Sequence, residues 1–355
     1  MAKISIKNGR VWDGEHFLDA DVLIDGNTVV RVAPDITEEV SFCYDATGLL
    51  VCPGLVDIHM HMRGISSDKY GIDPAIACYP FGVTAAADGG AAYGDKTLLD
   101  TFMVKNVVFA SAGIHNNDID LSRVEERLGR YGDKAVGVKS YFDTTVSEVS
   151  DISPLRKLCE FAHGRGLRVM VHCNHSPTPM ADILALLGEG DILTHAYHGG
   201  VHNASKDSFE SVKQAMARGV VIDLGMAGYV HTDLSVFKQG ILNGAAPYTI
   251  STDITKSSAY VRGGRYGLTL CMSIARALGM AEENVLLAVT SRAAKALGKE
   301  NEWGYLREGR TADVAVLDPR AEAYDLTDKT GNRIQGHDGY RCVLTVTDGM
   351  IVYRY

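Results

Sequence analysis

Leu55-Val56-Asp57-Ile58-His59-Met60-His61-Met62-Arg63 begins as a largely apolar run and ends in two imidazoles and a guanidinium. An apolar run without clean alternation suits a strand buried on both faces, as in a parallel sheet covered by helices. Side chains alternate along a strand, so His59 and His61 project to the same side and can reach one point. Comparable runs recur at residues 83–87, 107–110, 135–138, 168–171, 192–193, 220–224 and 248–250. Amphipathic helical stretches lie between most of them, at 153–163, 180–187, 208–217 and 265–277. Eight strand–helix units in about 250 residues match a (β/α)8 TIM barrel of the α/β class. An open doubly wound sheet is the rival, but no GxGxxG follows an early strand.

Both ends of the chain have a different texture. Residues 3–6, 22–24 and 28–32 are β-rich and are separated by Asn8-Gly9 and by Asp25-Gly26-Asn27, a hairpin signal. At the far end, 313–317 and 342–347 are followed by an Asp348-Gly349 turn and 351–353. Strand-rich pieces flanking a βα middle imply that the ends meet in one small β-sandwich. The expected domains are residues 1–52 with 302–355 for the sandwich and 53–301 for the barrel.

Polar residues close nearly every middle run, which is where barrel enzymes carry their chemistry. The first ends in His59 and His61, the fourth in Val138-Lys139-Ser140, and the fifth in His172-Cys173-Asn174-His175. The sixth ends in Thr194-His195-Ala196-Tyr197-His198, and the eighth in Ser251-Thr252-Asp253. One strand-end histidine is ordinarily a core or loop residue. His59, His61, His172 and His195, joined by Lys139 and Asp253, converge at the mouth of a barrel. Imidazole nitrogen with carboxylate oxygen suits zinc, with manganese, iron or cobalt as alternatives.

Composition narrows the partners. A net charge of −9 gives no basic face for nucleic acid. No run is long and apolar enough to span a membrane, and the start lacks a signal-peptide core, which points to the cytoplasm. Seven cysteines, odd in number and without CxxC spacing, fit reduced thiols rather than a disulfide framework.

Pro53-Gly54-Leu55-Val56-Asp57-Ile58-His59-Met60-His61 resembles the opening motif of the amidohydrolase superfamily. The similarity continues in Ile6-Lys7-Asn8-Gly9-Arg10-Val11 and residues 45–53, and then in Val289-Thr290-Ser291-Arg292-Ala293-Ala294-Lys295-Ala296-Leu297-Gly298. It ends in Gly309-Arg310-Thr311-Ala312-Asp313-Val314-Ala315-Val316-Leu317 and Val346-Thr347-Asp348-Gly349. The resemblance implies a binuclear hydrolase. His59 and His61 would bind the more buried metal with Asp253, and His172 and His195 the more exposed one. Lys139, carbamylated by carbon dioxide, would bridge the two, since a carbamate brings negative charge where an ammonium would be repelled. Two cations sharing a water would lower its pKa, and Asp253 would carry its proton to the leaving group.

Within that superfamily the chain resembles the dihydroorotase-related group, and its deacetylase-like branch more closely. This implies hydrolysis of an N-acyl amino acid or an acyl ester of a hydroxy acid, with cyclic amides as the alternative. Mononuclear deaminases resemble a pattern with Glu three residues after the fifth-strand histidine, where this chain has His175. A metal-free scaffold is the reading from another class, against which all six ligand positions are filled. His59-Met60-His61-Met62-Arg63 resembles the HxHxR of dihydroorotases, whose arginine holds a substrate carboxylate, although Gly64-Ile65-Ser66 departs from their continuation. Arg63 is thus read either as a bidentate carboxylate clamp or as an arginine paired with a nearby acid.

Tyr141, Asn174, His198 and Met226 are the remaining substrate-contact candidates, by position alone. His202 and His231 read as surface loop residues, and His163 as a helix-end residue. Segments 199–209 and 225–233 are expected to cover the pocket. Val261-Arg262-Gly263-Gly264-Arg265 is either an anion nest or a plain connector. The substrate is expected to be a small carboxylate-bearing molecule, and the resemblance implies a homo-oligomer.

Overall fold

The computed structural model describes residues 3–205, 209–227, 230–260 and 266–355. The glycine-rich segment at 261–265 lies outside the described residues, as do parts of the loops after the sixth and seventh strands.

Seven parallel strands follow one another in chain order around the barrel: Leu55–Met60, Val83–Ala91, Lys105–Ala112, Ala135–Tyr141, Arg168–His172, Ile192–Thr194 and Val221–Asp223. Residues 248–254 take the eighth place. They meet the seventh strand through an Asp223–Thr249 bridge and the first through a Met60–Ile254 bridge, which closes the barrel. The eighth segment is therefore not a regular strand as its apolar run suggests. Its Thr249, Ser251 and Thr252 hydroxyls are engaged by buried carboxylates, and Asp253 turns into left-handed backbone at φ 46°.

The helices form where apolar residues recur at helical spacing. In Ser153–His163, Leu155, Leu158, Cys159 and Ala162 are buried, and a proline opens the first turn where no N–H partner is needed. Leu234–Leu242 starts at Asp233, whose carboxylate accepts from the N–H groups of Ser235 (2.9 Å) and Val236 (3.0 Å).

The chain ends form two packed sheets. One orders Thr28–Ala33, Asp21–Asp25, Lys3–Lys7 and Phe42–Asp45. The other orders Met350–Arg354, Arg333–Thr347, Val314–Thr327, Leu50–Pro53, Arg10–Trp12 and Phe17–Asp19. Ile4, Ile6, Val22 and Ile24 from the first sheet share a core with Val51, Val314, Val316 and Val346 from the second. Each sheet thus buries the face the other would otherwise expose. The C-terminal hairpin is longer than its apolar ends indicate. Its arms run past the sandwich, with Thr327 paired to Arg333 at the far end.

Candidate metal centre

His59 is the penultimate residue of the first strand and His61 follows its end, their ring centroids 5.6 Å apart. Asp253 reaches both: Oδ1 lies 3.0 Å from Nε2 of His61 and 3.3 Å from Nε2 of His59. Its other oxygen, Oδ2, lies 3.6 Å from Nε2 of His231 and 3.7 Å from Nε2 of His195. His172, the last residue of the fifth strand, completes a second cluster, 4.7 Å ring to ring from His195 and 5.1 Å from His231. Two trios able to hold a metal ion therefore adjoin at one carboxylate: His59, His61 and Asp253, and His172, His195 and His231. Lys139 is fully buried beside them in the fourth strand, its Nζ 3.2 Å from Nε2 of His59.

The outer nitrogens of the rings are already committed. Thr194 donates its hydroxyl proton to Asp223 (2.8 Å), so its oxygen accepts from Nδ1–H of His59 (3.2 Å). Ser66 likewise donates to Asp88 (3.0 Å) and accepts from Nδ1–H of His61 (2.9 Å). The Gly225 carbonyl can only accept, which places a proton on Nδ1 of His195 (2.7 Å). Asp143 takes Nε2–H of His172 (2.9 Å). Each ring is thereby oriented and left with one unprotonated nitrogen, the arrangement metal-binding histidines require. Nε2 of His195 is buried without a hydrogen-bond partner, as expected of a nitrogen whose partner is a cation. The Asn174 amide nitrogen lies against Nδ1 of His231 while its Oδ1 has no partner. Exchanging the two ends of that amide pairs Oδ1 with Nδ1–H and gives His231 the same pattern.

Backbone strain reaches the site. His195 (φ 67°) and Asp253 (φ 46°) both occupy the left-handed region that non-glycine residues rarely adopt. Gly225 (φ 53°) sits so close to Thr194 and the His195 ring that no Cβ fits there.

Electrostatics follow from burial and crowding. Burial drives the His59 and His195 pKa values well below the ordinary one. Burial alone would raise the Asp253 carboxyl, but His59, His61 and His195 around it hold it well below the usual range. Lys139 is pushed down to about 8 by burial, against the opposing pull of Asp253 and Asp223. A larger share of its amine is therefore neutral near pH 7 than in an ordinary lysine.

A cavity of about 640 Å³ opens onto both trios, within the range of small-molecule sites. Tyr141 and Asn174 line it; Arg63, His198 and Met226 do not. Arg63 is exposed on the loop after the first strand, and its backbone N–H is bonded to Ile72. His198 is buried, with burial pushing its pKa down to about 3, and its Nδ1 accepts from the Gly200 N–H. Met226 is buried in the core. His231 corrects the expectation of a surface loop histidine. It lies just ahead of the helix cap Asp233, and that cap brings the loop back over the barrel mouth. The cap itself, Thr232-Asp233-Leu234-Ser235, marks in the sequence where the next helix starts, but not where the loop before it lies. Asp88, Asp143 and Asp223, which orient the rings, are absent from the sequence-based candidates. A larger cavity of about 940 Å³ at the opposite strand ends, around Arg168, Asp191 and Val221, holds neither trio.

A metal-ready site at the C-terminal mouth of an α/β barrel, flanked by a sandwich of both chain ends, defines a barrel metallohydrolase. A model of the amidohydrolase family matches residues 50–349, and the chain belongs to that family. It is 26% identical over 340 residues to a deacetylase of Agrobacterium fabrum, covering 88% of this chain and 81% of that one. Among solved structures, a dihydroorotase superposes with a TM-score of 0.84 at 21% identity and an adenine deaminase with 0.85 at 24%. Each covers 99% of both chains, a likeness of fold. No helix among the described residues is long and apolar enough to cross a membrane.

Proposed function

We propose that the protein hydrolyses an amide or ester bond of a small acylated substrate, as a deacetylase acting on an N-acyl amino acid or an acyl hydroxy acid. The observation that carries this is the Asp253 carboxylate, shared between two donor trios at the floor of one cavity. His59, His61 and Asp253 would hold one divalent cation, with zinc favoured by the donor set. His172 and His195 would hold the second, with His231 a further donor. Lys139, as a carbamate, would bridge the pair. Its lowered pKa supports this, because only the neutral amine adds to carbon dioxide. When bound, the metals supply Lewis acidity, acidifying a water and polarising the scissile carbonyl.

The chain's own residues then have defined tasks. Asp253, kept ionised by the surrounding histidines, accepts the proton of the attacking water. It returns that proton to the leaving nitrogen or oxygen. Asp143 and Asp88 fix the rings of His172 and His61, the second through Ser66. Tyr141, whose pKa is raised by burial, stays protonated and offers a hydrogen bond from the cavity wall. Hydrolysis of a cyclic amide uses the same groups and is the second reading. Deamination has no carboxylate at position 175, where His175 instead pairs with Asp143.

The test is metal content after expression with zinc or manganese and bicarbonate, followed by a screen of N-acetyl amino acids and acyl hydroxy acids. About two ions per chain with turnover is the expected result. One ion or fewer after reconstitution overturns the binuclear reading.

A further inference from the structure

We infer that Lys329, at the tip of the C-terminal hairpin, anchors a carboxylate of the substrate, so that a segment of the terminal β-structure sets the specificity of the barrel site. The inference rests on the hydrolase reading above. Lys329 belongs to the turn between Val314–Thr327 and Arg333–Thr347, yet it lines the same cavity as His61, Asp253 and His231.

That placement is held by a dense set of bonds. Asp328, buried beside it, accepts from the Leu234 N–H (2.8 Å), the Thr330 N–H (2.9 Å) and both the N–H and side-chain amide of Asn332 (each 2.9 Å). Thr330 donates to Asp233 at 2.8 Å, and Asn332 reaches the same carboxylate at 3.3 Å. Asp233 caps the helix two residues beyond His231. The turn is thus fastened to the loop that brings His231 to the metal centre, and Lys329 stands between two fastened neighbours. A free hairpin tip would need no such anchoring.

Charge accounting around the cavity singles out the same residue. Its wall carries two lysines, Lys139 and Lys329, and two carboxylates, Asp143 and Asp253. Asp143 is taken by His172 and His175, Asp253 by the histidines, and Lys139 sits against His59. No carboxylate among the described residues pairs with Lys329. An ammonium at the mouth of a site, with no internal partner, offers its charge to the ligand. Arg63 stands outside the wall and leaves this task open.

The rest of the wall specifies the neighbouring part of the substrate. Tyr70, Tyr93 and Val146 line the cavity with large apolar side chains that are 44%, 58% and 65% exposed. Exposed apolar groups gathered at a pocket mouth mark a surface that a ligand covers. On the hydrolase reading above, the acylated substrate therefore carries a free carboxylate and, beside it, an apolar, preferably aromatic, side chain.

The test uses the metal-loaded full chain and two probes that cannot turn over. One is N-acetylphenylalanine with its acetyl carbonyl replaced by a methylphosphonyl group, and the other is the same compound with a carboxamide in place of the carboxylate. Wild type should bind the carboxylate probe roughly tenfold more tightly by calorimetry, the size of a partly exposed charged hydrogen bond. Lys329→Met should erase that preference, and Lys329→Arg should restore most of it. Equal or absent binding of both probes by wild type overturns the inference. So does a preference that survives Lys329→Met, or one that Arg63→Met removes instead. Turnover of N-acetylphenylalanine is read separately. Its absence alongside a Lys329-dependent preference refutes the hydrolase reading and leaves the anchor standing.

Discussion

His59, His61 and Asp253 come from the first strand and the segment hydrogen-bonded beside it, whereas His172, His195 and His231 come from two strand ends and a loop. The first trio is built into the ladder itself: the Asp253 N–H donates to the His59 carbonyl, and the His61 N–H to that of Ile254. The second depends on connections that cross from element to element. His195 leans on the Gly225 carbonyl, His172 on Asp143, and His231 on a loop secured by the helix cap and the hairpin tip. A site drawn from one ladder is as rigid as the barrel. One assembled from loops can adjust its donors to what enters the cavity. Asp253 is the point where the two meet, so its loss is the hardest test. Asp253→Asn is expected to lower kcat by roughly three orders of magnitude with the circular dichroism spectrum unchanged. A variant that keeps activity close to that of the wild type breaks the shared-carboxylate account.

Lys139 probes the same junction from below. Lys139→Met keeps the apolar stem and removes the nitrogen that would carry the carbamate. The expected result is loss of about one ion per chain, with the first trio still loaded. Two ions retained at full occupancy show that no carbamate bridges them.

His231 sharpens the contrast between rigid and assembled donors. His231→Ala should weaken the second ion by about 10- to 100-fold in competition with a chelator, while the first is held as before. An unchanged affinity would make His231 a substrate contact and reduce the second site to His172 and His195. His198→Ala is the internal comparison, since its ring lies off the cavity and should leave both affinities alone.

The same contrast explains what the sequence disclosed. Seven barrel strands were legible because each is buried on both faces and therefore mostly apolar, and the strand-end histidines were legible because they close those runs. Ser153–His163 was readable to the residue from its buried stripe. His231 follows no apolar run, and its place depends on where a loop returns, which local pattern does not encode. The outer arms of the hairpin, in Val314–Thr327 and Arg333–Thr347, were equally hidden. Residues such as Asp318, Arg320, Glu322, Arg333, Gln335 and His337 are polar and largely solvated, so neither β-branching nor alternation marks them as strand. Asp88 lies within the second strand, Asp223 ends the seventh and Asp143 follows the fourth, but a buried carboxylate that orients a ring looks in sequence like any polar residue. Backbone strain at His195 and Asp253 is likewise invisible until the chain is folded.

The smallest expected effect isolates the brace on the second trio. Thr330→Val is close to isosteric and removes only the hydroxyl that donates to Asp233 at 2.8 Å, with Asp328 at 2.9 Å. Losing one such bond costs about 1 kcal/mol, because the carboxylate it leaves keeps its bonds to the helix N-terminus. The melting temperature should fall by roughly 1 to 3 °C. If the hairpin braces only the loop-built trio, chelator release of the second ion should quicken while that of the first is unchanged. Equal acceleration of both would mean that the tip stabilises the barrel as a whole, and the division into a rigid and a braced half would fall.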